Sequence, residues 1–471
     1  MSVATAQIEE RRSAPGERLE LLCDRGSFRP LRSGVVSNRD GVAAMPGDGV
    51  LVGAGRVGGR PVFCYAQDPG FLAGSLGEAH ADSIVRVLEL AARSRRPVVG
   101  FIESGGARLQ EGHEALAGYA RIFKASVDLG RIAPQVSVVT GVSAGGGAYS
   151  PALTDFVVMT DEARMFLTGP KVVREALGEE VTMAELGGPH LHERNGVCQL
   201  VAPSDAEAAK RARELLGFLP QGIGDPPPPG APLPPPEGEV DAPVPAEPRR
   251  VYDIREVARL IVDGGGLVEI GPRWARNMVT ALARIDGRPM GLIANQPHHL
   301  GGVIDAAAAE KAALFVSSCD RFGLPLVVLV DTPGFMPGRR QEAAGVIRHG
   351  ASLLRAFAGA RVPKVTVVVR KAYGGAVITM NSKDLGADLT FAWPGAEIGI
   401  MAASQAVGIV HRRRLAAAED DGELRAELGA AYAESHLTAA AAASCGFVDE
   451  VIPPESTRER LAWALSSLER P

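Results

Sequence analysis

The chain carries two copies of one pattern, related by a fixed spacing. Gly59-Arg60-Pro61 returns as Gly287-Arg288-Pro289. The run Pro97-Val-Val-Gly-Phe-Ile-Glu103-Ser104-Gly-Gly106 returns as Pro325-Leu-Val-Val-Leu-Val-Asp331-Thr332-Pro-Gly334. The differences 287 − 59, 325 − 97 and 331 − 103 all equal 228. A glycine stretch, Ala144-Gly145-Gly146-Gly147-Ala148, finds its partner one residue further along, in Tyr373-Gly374-Gly375-Ala376. Solenoid periods are far shorter, about 20–50 residues, so this spacing implies a duplicated domain. Two matching halves can build one active site in which each holds one of two substrates.

The 471 residues exceed one ordinary core and suit two domains of about 200 residues each. A 46% apolar fraction with only 5% aromatic residues means close packing through small side chains. The formal charge of −5 and the lack of basic clustering argue against a nucleic-acid or membrane-surface partner. Arg412-Arg413-Arg414 is the densest basic run; it reads as a solvated helix face, with docking of a phosphorylated ligand as the sharper alternative. Cys23, Cys64, Cys198, Cys319 and Cys445 stand far apart, without C-x-x-C pairs or His neighbours at metal spacing. That pattern implies a reducing compartment and no metal site. No uncharged apolar stretch reaches about 18 residues, and the Glu9-Glu10-Arg11-Arg12 region lacks an apolar signal core, so a cytoplasmic protein is expected.

A proline-rich segment spans residues 220–249. Polyproline is extended and semi-rigid, so it is expected to stay out of any core and to link an N-terminal domain, residues 1–219, to a C-terminal domain, residues 250–471. An SH3-type ligand role yields to the linker role because the repeat demands a boundary there. Within each copy, short apolar runs (Val98–Ile102, Val136–Thr140, Val327–Val330, Val365–Val369) read as buried strands. They are separated by helical patterns such as Ser83–Ala92 and Ala307–Cys319. Strands alternating with helices imply parallel pairing by right-handed crossovers, an α/β class whose ligands sit where strands end and helices begin. Both glycine stretches fall at such junctions.

Neither stretch matches a G-x-x-x-x-G-K-[ST] phosphate loop or a G-x-G-x-x-G turn. Glycine lets the backbone approach a ligand, and the helix that follows offers unpaired N–H groups at its positive end. A carbonyl that becomes an oxyanion would be well served by such donors; tight helix–strand packing is the plainer alternative. No G-x-S-x-G elbow occurs. Ser104, Ser143 and Ser150 lie near the glycines as possible nucleophiles, and His113, His190, His192 and His349 are possible bases, but none of these histidines is duplicated. The chemistry therefore reads as driven by backbone donors, with the base supplied by a ligand.

Several motifs match a known family: Gly100–Gly112, Ala144-Gly-Gly-Gly-Ala-Tyr149-Ser150-Pro151, Glu185-Leu-Gly-Gly188, Asn295-Gln296-Pro297, Asp331-Thr-Pro-Gly-Phe335 and Arg370-Lys-Ala-Tyr-Gly-Gly-Ala376. From about Pro15 to the C-terminus, apart from the proline segment, the chain resembles the carboxyltransferase (β) subunit of biotin-dependent acyl-CoA carboxylases. The resemblance implies two tandem crotonase-like (ββα superhelix) domains and a homo-oligomer, a hexamer. The N-terminal copy would bind a short-chain acyl-CoA, of the acetyl- or propionyl-CoA type, through Ser104, Gly105, Gly106, Ala107 and Tyr149. The C-terminal copy of a neighbouring subunit would bind carboxybiotin, carried by a biotin carboxylase/biotin carboxyl carrier subunit, through Gly334, Phe335, Gly374, Gly375 and Ala376.

The implied reaction moves the carboxyl group from carboxybiotin to the acyl α-carbon through two enolates, so two oxyanion holes are wanted. Gly145 and Gly146 would serve the thioester, and Gly375 with Ala376 the biotin ureido oxygen. Ile378 stands where propionyl-selective members carry Asp, and is expected to line the acyl or biotin pocket. Ser83 occupies the slot that Lys311 holds in the second copy (311 − 83 = 228), and loss of a lysine there is expected to weaken attraction to CoA phosphates. The arm before Pro15 and the tail after Leu468 are short against the family pattern, which bears on assembly. Two alternatives share the fold: a biotin-dependent decarboxylase component acting on a malonyl-type thioester, and a non-catalytic subunit of such a complex.

Overall fold

A computed structural model describes residues 13–39, 41, 44–247, 250–418 and 421–469. The Glu9–Arg12 run lies outside the described residues. The chain divides between Pro228 and Pro229 into two compact units.

The first unit holds strands β1 (Arg29–Leu31), β2 (Val50–Val57), β3 (Arg60–Gln67), β4 (Val98–Ser104), β5 (Gln135–Ala144), β6 (Phe156–Thr160), β7 (Arg164–Phe166) and β8 (Leu200–Ala202). Its sheet order is β1-β2-β3-β4-β5-β6-β8, with β7 paired to β5. The second unit holds β9 (Val268–Glu269), β10 (Met278–Ile285), β11 (Arg288–Asn295), β12 (Leu326–Thr332), β13 (Lys364–Tyr373), β14 (Leu389–Ala392), β15 (Glu397–Gly399) and β16 (Glu450–Val451). Its order is β9-β10-β11-β12-β13-β14-β16, with β15 paired to β13. The two topologies are the same. β2, β3 and β4 map onto β10, β11 and β12 at the sequence spacing, since 278 − 50, 288 − 60 and 326 − 98 all give 228. From β5 to β13 the offset is 229 (364 − 135), the one-residue slip visible at the glycines.

The strands carrying the glycine turns run further than their apolar stretches. β5 pairs with β6 over Val136–Val139 and then with β7 over Val142–Ala144; β13 repeats this with β14 and β15. A switch of partner, not a continuous apolar run, carries each strand to its turn. The crossover helices Glu78–Ser94 and Ala306–Phe322 exceed their apolar patterns in the same way. Each buries one face, Ala81, Ile84, Val87, Leu88 and Ala91 in the first and Ala309, Ala312, Val316 and Cys319 in the second.

The two helices begin differently. Asp305 caps the second, accepting from the Ala308 N–H at 2.8 Å. The equivalent residue of the first is Gly77 (305 − 77 = 228), which has no side chain to offer. There the Glu78 and His80 N–H groups donate to Glu111 Oε2 (2.6 Å) and Asp48 Oδ2 (3.0 Å), and buried Arg108 neutralises both acids at 2.8 Å. A Cβ on Gly77 would lie 2.3 Å from Glu111 and 2.4 Å from Arg108, so glycine is required for this imported cap.

The proline-rich segment departs from expectation. Its first part docks on the first unit, with the Ile223 N–H donating to Ile132 O at 2.7 Å. In its second part Val240 is buried in the core of the second unit, with Val257, Ile261 and Trp393. Proline removes N–H donors but does not prevent an intervening valine from burying its side chain. Among the described residues no helix is long and apolar enough to cross a membrane.

Candidate active site

Each glycine turn begins with a backbone conformation that side chains disfavour. Gly145 has φ +56° and Gly374 has φ +61°, so the chain can turn sharply out of β5 and β13 only with glycine there. The helices Gly146–Ala152 and Gly374–Thr379 follow directly. First-turn N–H groups of a helix have no intrahelical i−4 partner. The Gly145 N–H, however, donates to Phe166 O at 3.1 Å, and pairing with β7 removes it from any donor set. That geometry corrects the expected donor pair Gly145–Gly146. The positions equivalent to Gly375 and Ala376 are Gly146 and Gly147 (375 − 146 = 376 − 147 = 229).

Tight packing supports the N-terminal turn from below. A Cβ on Gly146 would meet the Tyr119 ring at 2.8 Å, and one on Gly147 would meet Ser143 Oγ at 3.1 Å and Ser104 Cβ at 3.3 Å. Ser143 Oγ donates to Gly147 O at 2.7 Å. Beneath it lies a void of about 10 Å³ lined by Tyr65, Tyr119 and Gly147 among others, room for about one water. Tyr149, on the outer side of the turn, is 51% exposed.

The C-terminal turn opens outward instead. A Cβ on Gly375 would meet nothing within 4 Å. Gly374 and Gly375 line a cavity of about 710 Å³ walled by Ile378, Ile398, Ile400 and Phe447, with Ser435, His436, Ser444 and Cys445 also on its lining. Ile378 therefore belongs to the surroundings of the second turn.

A matching loop follows the neighbouring strand in each unit. After β4, Leu76 N–H donates to Gly106 O (2.8 Å) and Arg108 N–H to Leu76 O (2.9 Å), bridging Leu76 to Ala107. After β12, Ile304 N–H donates to Gly334 O (3.0 Å) and Met336 N–H to Ile304 O (2.8 Å), bridging Ile304 to Phe335. Gly105 and Ala107 reach solvent beside the first turn, while Ser104 is buried, its Oγ accepting the Gly106 N–H at 3.3 Å. Gly334 and Phe335 are half-buried.

A carboxyl transferase domain model matches residues 6–470. The chain belongs to the carboxyl transferase domain family. It is 44% identical over 475 residues to the biotin-dependent acetyl-/propionyl-coenzyme A carboxylase beta5 subunit of Mycobacterium tuberculosis, covering 96% of this chain and 86% of the relative. It is also 44% identical over 430 residues to the methylmalonyl-CoA carboxyltransferase 12S subunit of Propionibacterium freudenreichii subsp. shermanii, covering 90% and 81%. Among solved structures, transcarboxylase 12S, a hexamer with methylmalonyl-CoA bound, matches with TM-score 0.95 and 42% identity over 99% of this chain and 92% of that one. The duplicated crotonase-like fold expected from the motifs is thus the fold of this carboxyltransferase, and its class is the carboxyltransferase subunit of biotin-dependent acyl-CoA carboxylases.

Other sequence candidates of the carboxyltransferase lie elsewhere. His192 Nε2 bonds Met165 O (2.7 Å), His190 bonds Glu193 (3.1 Å) and His349 lies 3.7 Å from Glu310; none of these partners belongs to a glycine turn. Arg412, Arg413 and Arg414 are exposed on a short helix. The lysine slot is also corrected. Lys311 is 3% exposed and donates to Trp274 O (2.9 Å) and Met278 O (2.7 Å); burial lowers its pKa to about 8. Ser83 is likewise buried and accepts from Arg32 Nε at 3.0 Å. Both side chains face the interior, so the missing lysine bears on packing, and the exposed Arg32 lies over Ser83.

Two groups escaped sequence reading. Tyr119 lies directly under Gly146, although a helical tyrosine has no signature of its own. Buried acids at equivalent positions, Glu103 and Asp331 (331 − 103 = 228), each require a cation behind the turn. Glu103 pairs with Arg18 (2.9 Å), which also holds Asp205 (2.9 Å). Asp331 pairs with Arg370 (3.0 Å) and accepts from the Tyr252 hydroxyl (2.9 Å). The duplicated acid was the available signal.

Proposed function

We propose that the subunit transfers the carboxyl group from carboxybiotin on a carrier protein to the α-carbon of a short-chain acyl-CoA, with the thioester at the N-terminal turn and the carboxybiotin at the C-terminal one. The observation that carries this reading is the pair of equivalent strand-to-helix turns. Each offers first-turn amides, Gly146 and Gly147 in one unit and Gly375 and Ala376 in the other. Backbone donors aimed where negative charge develops are worth about 10²–10³ in rate apiece.

The C-terminal cavity fits a biotin head group. It is of ligand size, its walls are mainly apolar, and the bare Gly375 backbone borders it. Carboxybiotin, when bound there, would supply both the carboxyl group and the base for the α-proton. Gly375 and Ala376 would hold the ureido oxygen, with Ile378, Ile398 and Ile400 excluding water around the ring. At the other turn, Gly146 and Gly147 would hold the thioester oxygen as it gains charge, while Gly105, Gly106, Ala107 and Tyr149 would flank the acyl-CoA. Similarity to a hexameric relative supports an oligomer in which one subunit's N-terminal unit faces another's C-terminal unit.

The test is carboxylation by the purified subunit with a biotinylated carrier and biotin carboxylase, using acetyl-, propionyl- and butyryl-CoA. Turnover of at least one of these is expected. Release of CO₂ from a malonyl-type thioester, with no carboxylation of any acyl-CoA, would establish the decarboxylase alternative instead.

A further inference from the structure

Tyr119 and Ser104 together join both loops of the N-terminal site. Its ring lies flat under the turn, so that a Cβ on Gly146 would sit 2.8–2.9 Å from Cγ, Cδ1 and Cδ2 together. Its hydroxyl shares a hydrogen bond with Ser104 Oγ at 3.1 Å. Ser104 Oγ in turn accepts the Gly106 N–H at 3.3 Å, and Ser104 Cβ lies where Gly147 could grow a side chain, at 3.3 Å. One buried tyrosine therefore meets the glycine turn with its ring and the Gly105–Ala107 loop through Ser104. Tyr119 is 5% exposed, and burial raises its phenol pKa, so the hydroxyl keeps its proton at neutral pH. Phe123 lies 5.8 Å from the Tyr119 ring and 6.2 Å, edge-on, from Tyr149 at the turn's outer side. Among the described residues the second turn has no such support, since a Cβ on Gly375 meets open space.

We propose that Tyr119 is a positioning residue for the acyl-CoA half of the reaction, fixing through its ring and through Ser104 the direction of the Gly146 and Gly147 amides relative to the Gly105–Ala107 loop. This rests on the assignment of the thioester to the N-terminal turn. Tyr119 itself touches no reacting atom. Its hydroxyl ties one loop to the other, so removing it lets the donors and the acyl chain drift apart. Displacement of about 1 Å costs up to about 10²-fold in rate.

The experiment compares Tyr119→Phe, Ser104→Ala and the double variant in the full subunit with its biotinylated carrier. It measures kcat and KM for acetyl- and propionyl-CoA, the melting temperature, and CO₂ release from the carboxylated carrier without acyl-CoA. Tyr119→Phe keeps the ring and should fold. The expected result is a kcat about tenfold lower with KM within about twofold, short of the loss from a full 1 Å displacement. The double variant should be no worse than the poorer single, because both changes cut one connection. Acyl-independent CO₂ release should stay at the wild-type rate. Wild-type kcat in Tyr119→Phe, or losses that add in the double variant and track the melting temperature, would overturn the positioning role. A parallel fall in acyl-independent CO₂ release would instead overturn the assignment of the thioester to this turn.

Discussion

The two units share a chain path but solve the same buried polar problems with different partners. Behind the first turn, Glu103 is matched by Arg18, 85 residues away on the Pro15–Leu22 helix. Behind the second, Asp331 is matched by Arg370 from adjacent strand β13. At the position of Arg370 the first unit has Gly141 (370 − 141 = 229), where a Cβ would collide with Glu103 Oε1. The crossover helix is capped locally by Asp305 in one unit and by Asp48 and Glu111 from elsewhere in the other. The first glycine turn rests on Tyr119; the second borders a cavity. Duplication thus preserved the backbone of the turns, which the proposed chemistry needs, while each interior found its own way to satisfy charge. The first unit draws the cation for its acid from farther along the chain than the second does, 85 residues against 39, although Asp331 also reaches 79 residues to Tyr252.

The largest expected effect tests that difference. Arg18→Met leaves Glu103 and Asp205 buried without their shared cation, and breaking a buried pair costs about 3–5 kcal/mol. Arg370→Met leaves Asp331 with the Tyr252 hydroxyl, a smaller loss. Chemical denaturation with a probe in each unit should show the first unit of Arg18→Met unfolding early; equal losses in both variants would break the contrast. Next come the turns. Gly375→Val should keep its melting temperature and lose about 10²–10³ in turnover, since its side chain enters the cavity beside the donors. Gly146→Val should lose activity and also about 1–3 kcal/mol of stability, because the Tyr119 ring must move. If the two variants melt alike, the packing difference between the turns is unimportant.

The lysine slot gives a pH test. Lys311 has a folded pKa of about 8 against 10.5 for an ordinary lysine. Between those values the unfolded chain holds the extra proton, so this group makes stability rise with pH. The stability difference between wild type and Lys311→Met should shift by about 3 kcal/mol in favour of wild type across that window and stay constant below it. Measuring the difference between the two proteins removes the opposite trend from buried tyrosines such as Tyr119. A flat difference from neutral pH upward would mean that Lys311 titrates normally. The smallest effect concerns Ile378, which is 48% exposed on the cavity wall. Ile378→Asp puts little charge into a core, so the melting temperature should hold while the propionyl/acetyl ratio of kcat/KM rises, within the about 1–3 kcal/mol that one methylene allows. An unchanged ratio would leave Ile378 outside the specificity of the site.

How much of this was legible in the chain varies with the range of the interaction. Repeat spacing, the alternation of strands with helices and both turns could be read because they rest on local signals: apolar runs, glycine at a junction, and two copies in register. The far ends of β5 and β13 were missed because Val142–Ala144 and Lys371–Tyr373 become strand only by pairing with β7 and β15. Local sequence presents Gly145 as a donor because its amide partner, Phe166, lies on that same separate strand. Val240 was assigned to an open linker because its prolines outweighed one apolar residue in the composition.

The sequence alone determined the duplicated α/β architecture, the two glycine turns and the family, since each is written in residues close together or repeated at one distance. Tertiary structure alone decided that the Gly145 amide is engaged, that Tyr119 supports one turn while a cavity borders the other, and that the slot of Ser83 and Lys311 faces inward. Those facts depend on contacts between residues far apart in the chain. Such contacts are set by how surfaces pack and how buried charges are neutralised, and no local pattern records that choice.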